Sequence, residues 1–314
     1  MKRILFFLII IGITLTSLNI ASYHFRYDLY NLAIEYEAEK AGLFQKNTSL
    51  DQHNYYYLTR DSKVKTTDTV ILLHGFSANK ENWLRFSQHL PLNYQVIALD
   101  LLGHGQHEIN LTANYSIETQ VLYLHKFINE VVKKPVHLVG NSMGGAIASL
   151  YAAIYPNAVK TLMLISPAGI HDVPSQMDKL IEAGTNPLIA ESVEQFFDVI
   201  DFVMEDQPFI PTAILEVQAE RSISRFDLNN KIFTEIRKDL DKHLDRKFTD
   251  IQAQTLILWG KDDRVINVDN IHRYTKLIPK SEAKILEGIG HLAMIETPKL
   301  AANAFINLSS PPFN

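Results

Sequence analysis

The sequence predicts an α/β fold: a mostly parallel central sheet flanked by helices, with an inserted helical cap. Three observations predict it. Short apolar runs recur from Val70 onward, with helix-like stretches between them. One run leads straight into a Gly-x-Ser-x-Gly turn. The rhythm then breaks once, between about residues 170 and 248.

The apolar runs are Val70–Leu73, Val96–Leu99, Val136–Val139, Leu162–Ile165, Leu256–Trp259 and Ala283–Leu286. Strands covered by helices on both faces read as continuous apolar runs, because neither side meets water. The break holds Pro174, Pro187, Pro208 and Pro211 and no convincing buried strand. It does hold helix-like segments, Glu191–Met204 and Ala213–Asp227, and so reads as a cap. The expected division is a membrane anchor or signal segment over 1–22 and a membrane-proximal helix and loop over 23–68. The sheet domain then fills 69–169 and 249–314 around a cap at 170–248. Within the second part, residues 24–46 suggest an amphipathic helix, and 47–68 a loop with an early antiparallel strand. A chain of 314 residues suits one α/β domain with an insertion and can bury a large core.

Composition narrows the function. The formal net charge is −5, small and of the wrong sign for nucleic-acid binding. There are 0 cysteines, which removes a thiol nucleophile, disulfides and thiolate metal sites. No cofactor and no metal are expected. Lys2-Arg3 precedes residues 4–21, ILFFLIIIGITLTSLNIA, which carry no charge. This matches a basic flank followed by an apolar segment at the short end of what spans a bilayer. Asn19 sits poorly before a cut near Ala21, so an uncleaved anchor is expected over a cleaved signal. Lys2 and Arg3 would stay in the cytoplasm and place the body outside it, on the periplasmic face in a bacterium. The alternative is secretion after cleavage.

The chemistry concentrates in His137-Leu-Val-Gly140-Asn-Ser142-Met-Gly144-Gly145. A buried strand runs into Gly-x-Ser-x-Gly and then a helix, the pattern of a nucleophile elbow. Ser142 would stand at the helix N-terminus, where partial positive charge favours a developing anion. A hydroxyl needs a base. His291 follows the last apolar run and the loop Glu287-Gly-Ile-Gly290. The base needs an acceptor on its far nitrogen. Asp263, after Leu256–Trp259, is chosen over Asp262, which reads as an ordinary solvated turn. The oxyanion-hole donors are expected to be the backbone N–H groups of Met143 and of Phe76, in the loop after Val70–Leu73. His74 reads as structural within that loop. Asp100-Leu-Leu-Gly103-His-Gly105 lacks the Lys-Ser/Thr of a phosphate loop and reads as a turn. His104 and His107 lie close together but have no evident third ligand for a metal.

These residues together resemble the α/β-hydrolase family over roughly 70 to 312. The segments His74–Trp83, His137–Gly145, Tyr151–Pro156 and Ser166–Gly169 resemble the membrane-anchored monoacylglycerol lipases and bacterial lipases of the Moraxella and Psychrobacter type. The N-terminal segment and Ala41-Gly42-Leu43 agree. The resemblance implies hydrolysis of glycerol esters, a lipid ester partner and a pocket between sheet and cap. Gly140–Gly145 and Trp259–Arg264 are also shared with carbon–carbon hydrolases of the meta-cleavage-product type, the alternative reading. Against that branch stand Phe76-Ser-Ala-Asn79 in the oxyanion loop and Leu292 after the base. Dehalogenases and epoxide hydrolases of this fold use an aspartate where this chain has Ser142.

Overall fold

The computed structural model describes residues 22–51, 53–60, 68–240 and 244–310. Its strands are β1 (Phe44–Leu50), β2 (His53–Arg60), β3 (Thr69–Leu73), β4 (Gln95–Leu99), β5 (Val136–Asn141), β6 (Val159–Ile165), β7 (Gln254–Gly260) and β8 (Ser281–Leu286). They form one 8-stranded sheet in the order β1-β2-β4-β3-β5-β6-β7-β8. β2 runs antiparallel to β1 and β4, and every other pairing is parallel. Each of the apolar runs lies inside one of the last six strands.

The helices are α1 (Arg26–Ala41), α2 (Leu84–Ser87), α3 (Ile117–Phe127), α4 (Met143–Ile154), α5 (Gln176–Glu182), α6 (Val193–Val203), α7 (Thr212–Ile223), α8 (Phe226–Leu240), α9 (Ile271–Leu277), α10 (Ala293–Glu296) and α11 (Pro298–Ser309). Successive strand residues face opposite sides of a sheet. In β3, Ile71 and Leu73 therefore join a core with Leu124, Phe127 and Ile147 of α3 and α4. Val70 and Leu72 join a second core with Phe86 and Phe305 of α2 and α11. That two-sided burial leaves β3 and β5 no exposed face. β8, at the edge, is largely exposed.

Three regions depart from the sequence expectation. The helix expected over 24–46 stops at Ala41, where the Gly42 N–H closes on the Ala38 and Glu39 carbonyls, and β1 begins at Phe44. β1 and β2 then pair antiparallel, so the early antiparallel strand is present and β1 takes up part of what read as loop. β1, FQKNTSL, is an exposed polar edge strand, so no hydrophobic pattern announces it. In β2, Tyr55 and Tyr57 are buried, so the tyrosine run is a strand. The helix expected over Ala213–Asp227 ends at Ile223. The chain turns at Arg225, whose guanidinium donates to the His107 carbonyl at 3.0 Å, and α8 starts afresh.

Helix α1 has two apolar faces, not one apolar and one polar. Tyr30 and Ala41 are buried, and Ile34 and Ala38 pack on the core. Phe25, Leu29, Leu32 and Tyr36, on the opposite side, are 60%, 40%, 64% and 55% exposed. Its N-terminal end is fastened to α7 by an Arg26–Glu220 ion pair at 3.0 Å and by Arg221 over the Tyr30 ring at 4.2 Å. No strand lies between β6 and β7 among the described residues, only α5–α8 and short turns. The anchor expected over 1–22 falls, up to residue 21, outside the described residues. Among the described residues no helix is long and apolar enough to cross a membrane.

Candidate active site

Ser142 sits between β5 and α4 with φ 53 and ψ −120, backbone angles that a non-glycine residue holds only under tertiary constraint. The constraint is close packing. A Cβ on Gly140 would lie 2.3 Å from the Gly144 oxygen, and one on Gly144 would lie 2.3 Å from the Leu73 oxygen. Only glycines let the turn close this tightly. The Ser142 N–H donates to Ile165 O at 3.1 Å, and its carbonyl accepts from Gly145, Ala146 and Ala168. The backbone is thereby fixed while the half-buried side chain stays available. Met143 opens α4, where first-turn N–H groups have no partner within the helix.

The structure brings His291 and Asp263 together. Nδ1 of His291 donates to Oδ2 of Asp263 at 2.8 Å, with the two side chains 5% and 0% exposed. Asp263 is itself held. Oδ1 accepts from the Val265 and Ile266 N–H groups at 2.8 and 3.0 Å, and Oδ2 also accepts from Trp259 Nε1 at 3.0 Å. Its carboxylate cannot rotate without breaking several bonds, so the imidazole orientation is fixed with it. The bond engages Nδ1 and leaves Nε2 as the nitrogen free to act. Asp262 is exposed, and its Oδ2 accepts from the Gly288 N–H at 3.0 Å, a turn bond.

Two contacts missed from the sequence join the parts. Asn141, next to Ser142, donates through Nδ2 to the His291 carbonyl and to Ile165 O, both at 3.1 Å. On the other side, a Cβ on Gly75 would lie 3.2 Å from the Ser142 Cβ. The loop carrying Phe76 therefore presses against the elbow. Phe76 is half-buried, and its ring meets Phe233 of α8 at 5.4 Å and His104 at 6.1 Å. Ser142 lines a small cavity of about 40 Å³, walled also by Phe76, Met143, Leu188, Phe233 and Ile236, with His171 and Arg237 among its polar lining residues. Ligand sites typically offer roughly 300–1,000 Å³. Helices α5 and α8 and the loop carrying Leu188 thus leave little room over the elbow. The cap-side residues gave no chemical signal in the sequence beyond helical spacing.

A second buried carboxylate lies after β4. Asp100 accepts from Lys80 Nζ at 2.7 Å and from the Lys80 and Gln106 N–H groups at 2.9 and 3.1 Å. The pair is 3% and 0% exposed. A Cβ on Gly105 would lie 2.1 Å from Asp100, and Gly105 holds φ +56. Three imidazoles surround this pair. His74 donates from Nδ1 to Gly75 O at 2.7 Å, within its loop, and accepts from the Leu101 N–H at 3.0 Å, which ties that loop to the one after β4. Burial lowers it to about 3, lowers His107 to about 4, and holds His104 well below its ordinary value. His104 and His107 turn to different partners, the Leu102 carbonyl and the Tyr123 hydroxyl.

Comparison with known proteins agrees with this geometry. Residues 68–298 match the model of the alpha/beta hydrolase fold family. A lipase of Psychrobacter immobilis is 33% identical over 267 residues, spanning 84% of this chain and 83% of that one. A human monoacylglycerol lipase is 31% identical, spanning 78% and 76%. The crystal structure of a bacterial membrane phospholipase A superimposes with a TM-score of 0.86 at 33% identity, covering 98% of both chains.

Proposed function

The chain belongs to the alpha/beta hydrolase fold family, and from that premise we propose that it is a carboxylic ester hydrolase acting on acylglycerols through Ser142, His291 and Asp263. One observation supports the reading above all: a buried Asp263–His291 pair is tied through Asn141 to the residue before a serine held at an elbow. His291 Nε2 takes the Ser142 proton as the hydroxyl attacks the ester carbonyl. The N–H groups of Phe76 and Met143 stabilise the oxyanion. The alcohol leaves, and His291 then activates water against the acyl-enzyme. No step needs a metal or a cofactor. The apolar cavity walls suit an acyl chain, and the relatives that are lipases support the substrate class.

We read residues 170–248 as a cap that moves to admit substrate, since about 40 Å³ does not hold an acyl chain. Residues 1–22 serve as the membrane anchor, with the catalytic domain outside the cytoplasm. The exposed Phe25, Leu29, Leu32 and Tyr36 directly follow that apolar run and would meet the same lipid surface.

The test is a panel of nitrophenyl and glycerol esters of rising chain length, with Ser142→Ala as the reference. Removing the hydroxyl should cost roughly 10⁴- to 10⁶-fold in kcat. Near-normal turnover by Ser142→Ala would contradict the assignment. Turnover of a vinylogous diketone with none of any ester would favour the carbon–carbon hydrolase. Deleting residues 1–22 should spare short soluble esters and reduce turnover of vesicle-borne glyceride. An unchanged ratio of the two would contradict the anchor.

A further inference from the structure

A third buried carboxylate lies at the same end of the sheet, and nothing in the reaction above uses it. Glu296, at the end of α10, is 8% exposed. Its two oxygens accept four backbone N–H groups. Oε2 takes Gly290 at 2.9 Å, Glu205 at 2.8 Å and Asp206 at 3.0 Å, and Oε1 takes Leu292 at 3.0 Å. Gly290 and Leu292 flank His291. Glu205 and Asp206 follow Met204, the residue that closes cap helix α6.

The remaining N–H in that stretch points the same way. His291 donates its own backbone N–H to Val203 O at 2.9 Å. Three successive amides, 290 to 292, are thus committed to Glu296 and to the end of α6. The contact is tight, since a Cβ on Gly290 would lie 2.8 Å from the Glu205 nitrogen. The partner of the base is tied to the same segment. Arg264, next to Asp263, donates to the Asp201 and Met204 carbonyls at 3.2 and 3.3 Å and pairs with Glu205.

We propose that Glu296 is a positioning residue for the base: it fastens the His291 backbone to the end of cap helix α6, so the imidazole keeps its aim while the rest of the cap moves. The inference rests on His291 being the general base. A side chain can only be aimed as well as its backbone is held, and here one carboxylate holds both flanks. Buried N–H groups need partners, so the four donors would not leave Glu296 without cost. The neighbouring His291–Asp263 bond fixes the ring about its own axis, whereas Glu296 fixes where the ring starts. Helix α8, which lines the cavity, makes none of these bonds; it is held separately, through Glu235 and Asp239 on the Tyr115 and Ile117 N–H groups, both at 2.6 Å.

The experiment uses full-length protein in detergent with a short soluble nitrophenyl ester. Active sites are counted by stoichiometric fluorophosphonate labelling, so that loss of folded protein is divided out. Glu296→Gln puts an amide N–H₂ against backbone donors and should loosen one flank. The expected result is a kcat per labelled site about 100-fold below wild type, with KM within about threefold, as for a misplacement near 1 Å. Glu296→Asp keeps the carboxylate with a shorter reach, should recover part of that rate, and serves if the glutamine variant fails to fold. A wild-type kcat per labelled site in the folded variants, whatever their melting temperature, would overturn the proposal and leave Glu296 as a packing residue. If Ser142→Ala keeps its activity, the hydrolase reading fails. If Ser142→Ala is inert and the Glu296 variants are unimpaired, only this inference fails.

Discussion

Asp263 and Asp100 sit at the same end of the sheet, each just after a strand, each buried and each bonded by two backbone N–H groups. Their partners differ. Asp263 faces the imidazole of His291, a ring whose second nitrogen can serve as hydrogen-bond donor or acceptor. Asp100 faces the ammonium of Lys80, which carries donors and no acceptor. The first pair can take part in proton transfer; the second can only hold. Burial and hydrogen bonding alone do not separate a working carboxylate from a structural one. The identity of the partner does, together with what that partner reaches next. Asn141, beside Ser142, ties the His291 backbone to the elbow, whereas Lys80 commits both its Nζ and its backbone N–H to Asp100.

Substitution should split the two regions cleanly. The largest effect belongs to Asp263→Asn, which removes the orienting charge and favours the wrong tautomer. We expect kcat to fall about 10⁴-fold with the melting temperature nearly unchanged, measured by ester hydrolysis and differential scanning calorimetry. Asp100→Asn should do the reverse. It strands a buried ammonium at a cost of about 3–5 kcal/mol, or a fall in melting temperature on the order of 10 °C. Per labelled active site its kcat should stay within about tenfold of wild type, well short of the loss expected at the orienting carboxylate. If Asp100→Asn abolished turnover in folded protein, the proposed division would be wrong.

A smaller effect comes from acid. His74 and His107 are lowered by burial to about 3 and about 4, against an ordinary 6.5. The unfolded chain therefore binds more protons than the native one between those values. The stability they contribute is complete above pH 6.5 and is lost as pH falls toward 4. Each imidazole adds a slope of up to about 1.4 kcal/mol per pH unit. His74→Gln should flatten the melting-temperature profile between pH 6.5 and 4 while sparing activity at pH 7. An unchanged profile in that variant would mean that His74 is not held neutral.

Much of this was legible in the sequence, for a physical reason. β3 to β7 are covered on both sides, so their burial shows as unbroken apolar runs. The elbow's glycines are dictated by backbone contact and cannot be replaced, which makes the pentapeptide readable. The Asp263–His291 pair was legible through strand-end placement. β1 was not, because an exposed edge strand carries polar residues. The break at Ser224–Arg225 was not, because a guanidinium on the distant His107 carbonyl sets it. Nor were Lys80–Asp100 and Glu296. Lys80 sits in a polar loop, Glu296 in a short helix, and only the folded chain shows what their charges meet.

The central claim is that one hydroxyl, driven by one imidazole–carboxylate pair, carries the reaction. Fluorophosphonate labelling of the full-length protein, mapped by peptide mass spectrometry and timed in wild type, Asp263→Asn and Asp100→Asn, tests it most directly. The account predicts a single adduct on Ser142, formed far more slowly in Asp263→Asn and at close to the wild-type rate in Asp100→Asn. An adduct on another residue, or a labelling rate at Ser142 that does not respond to Asp263→Asn, would contradict it.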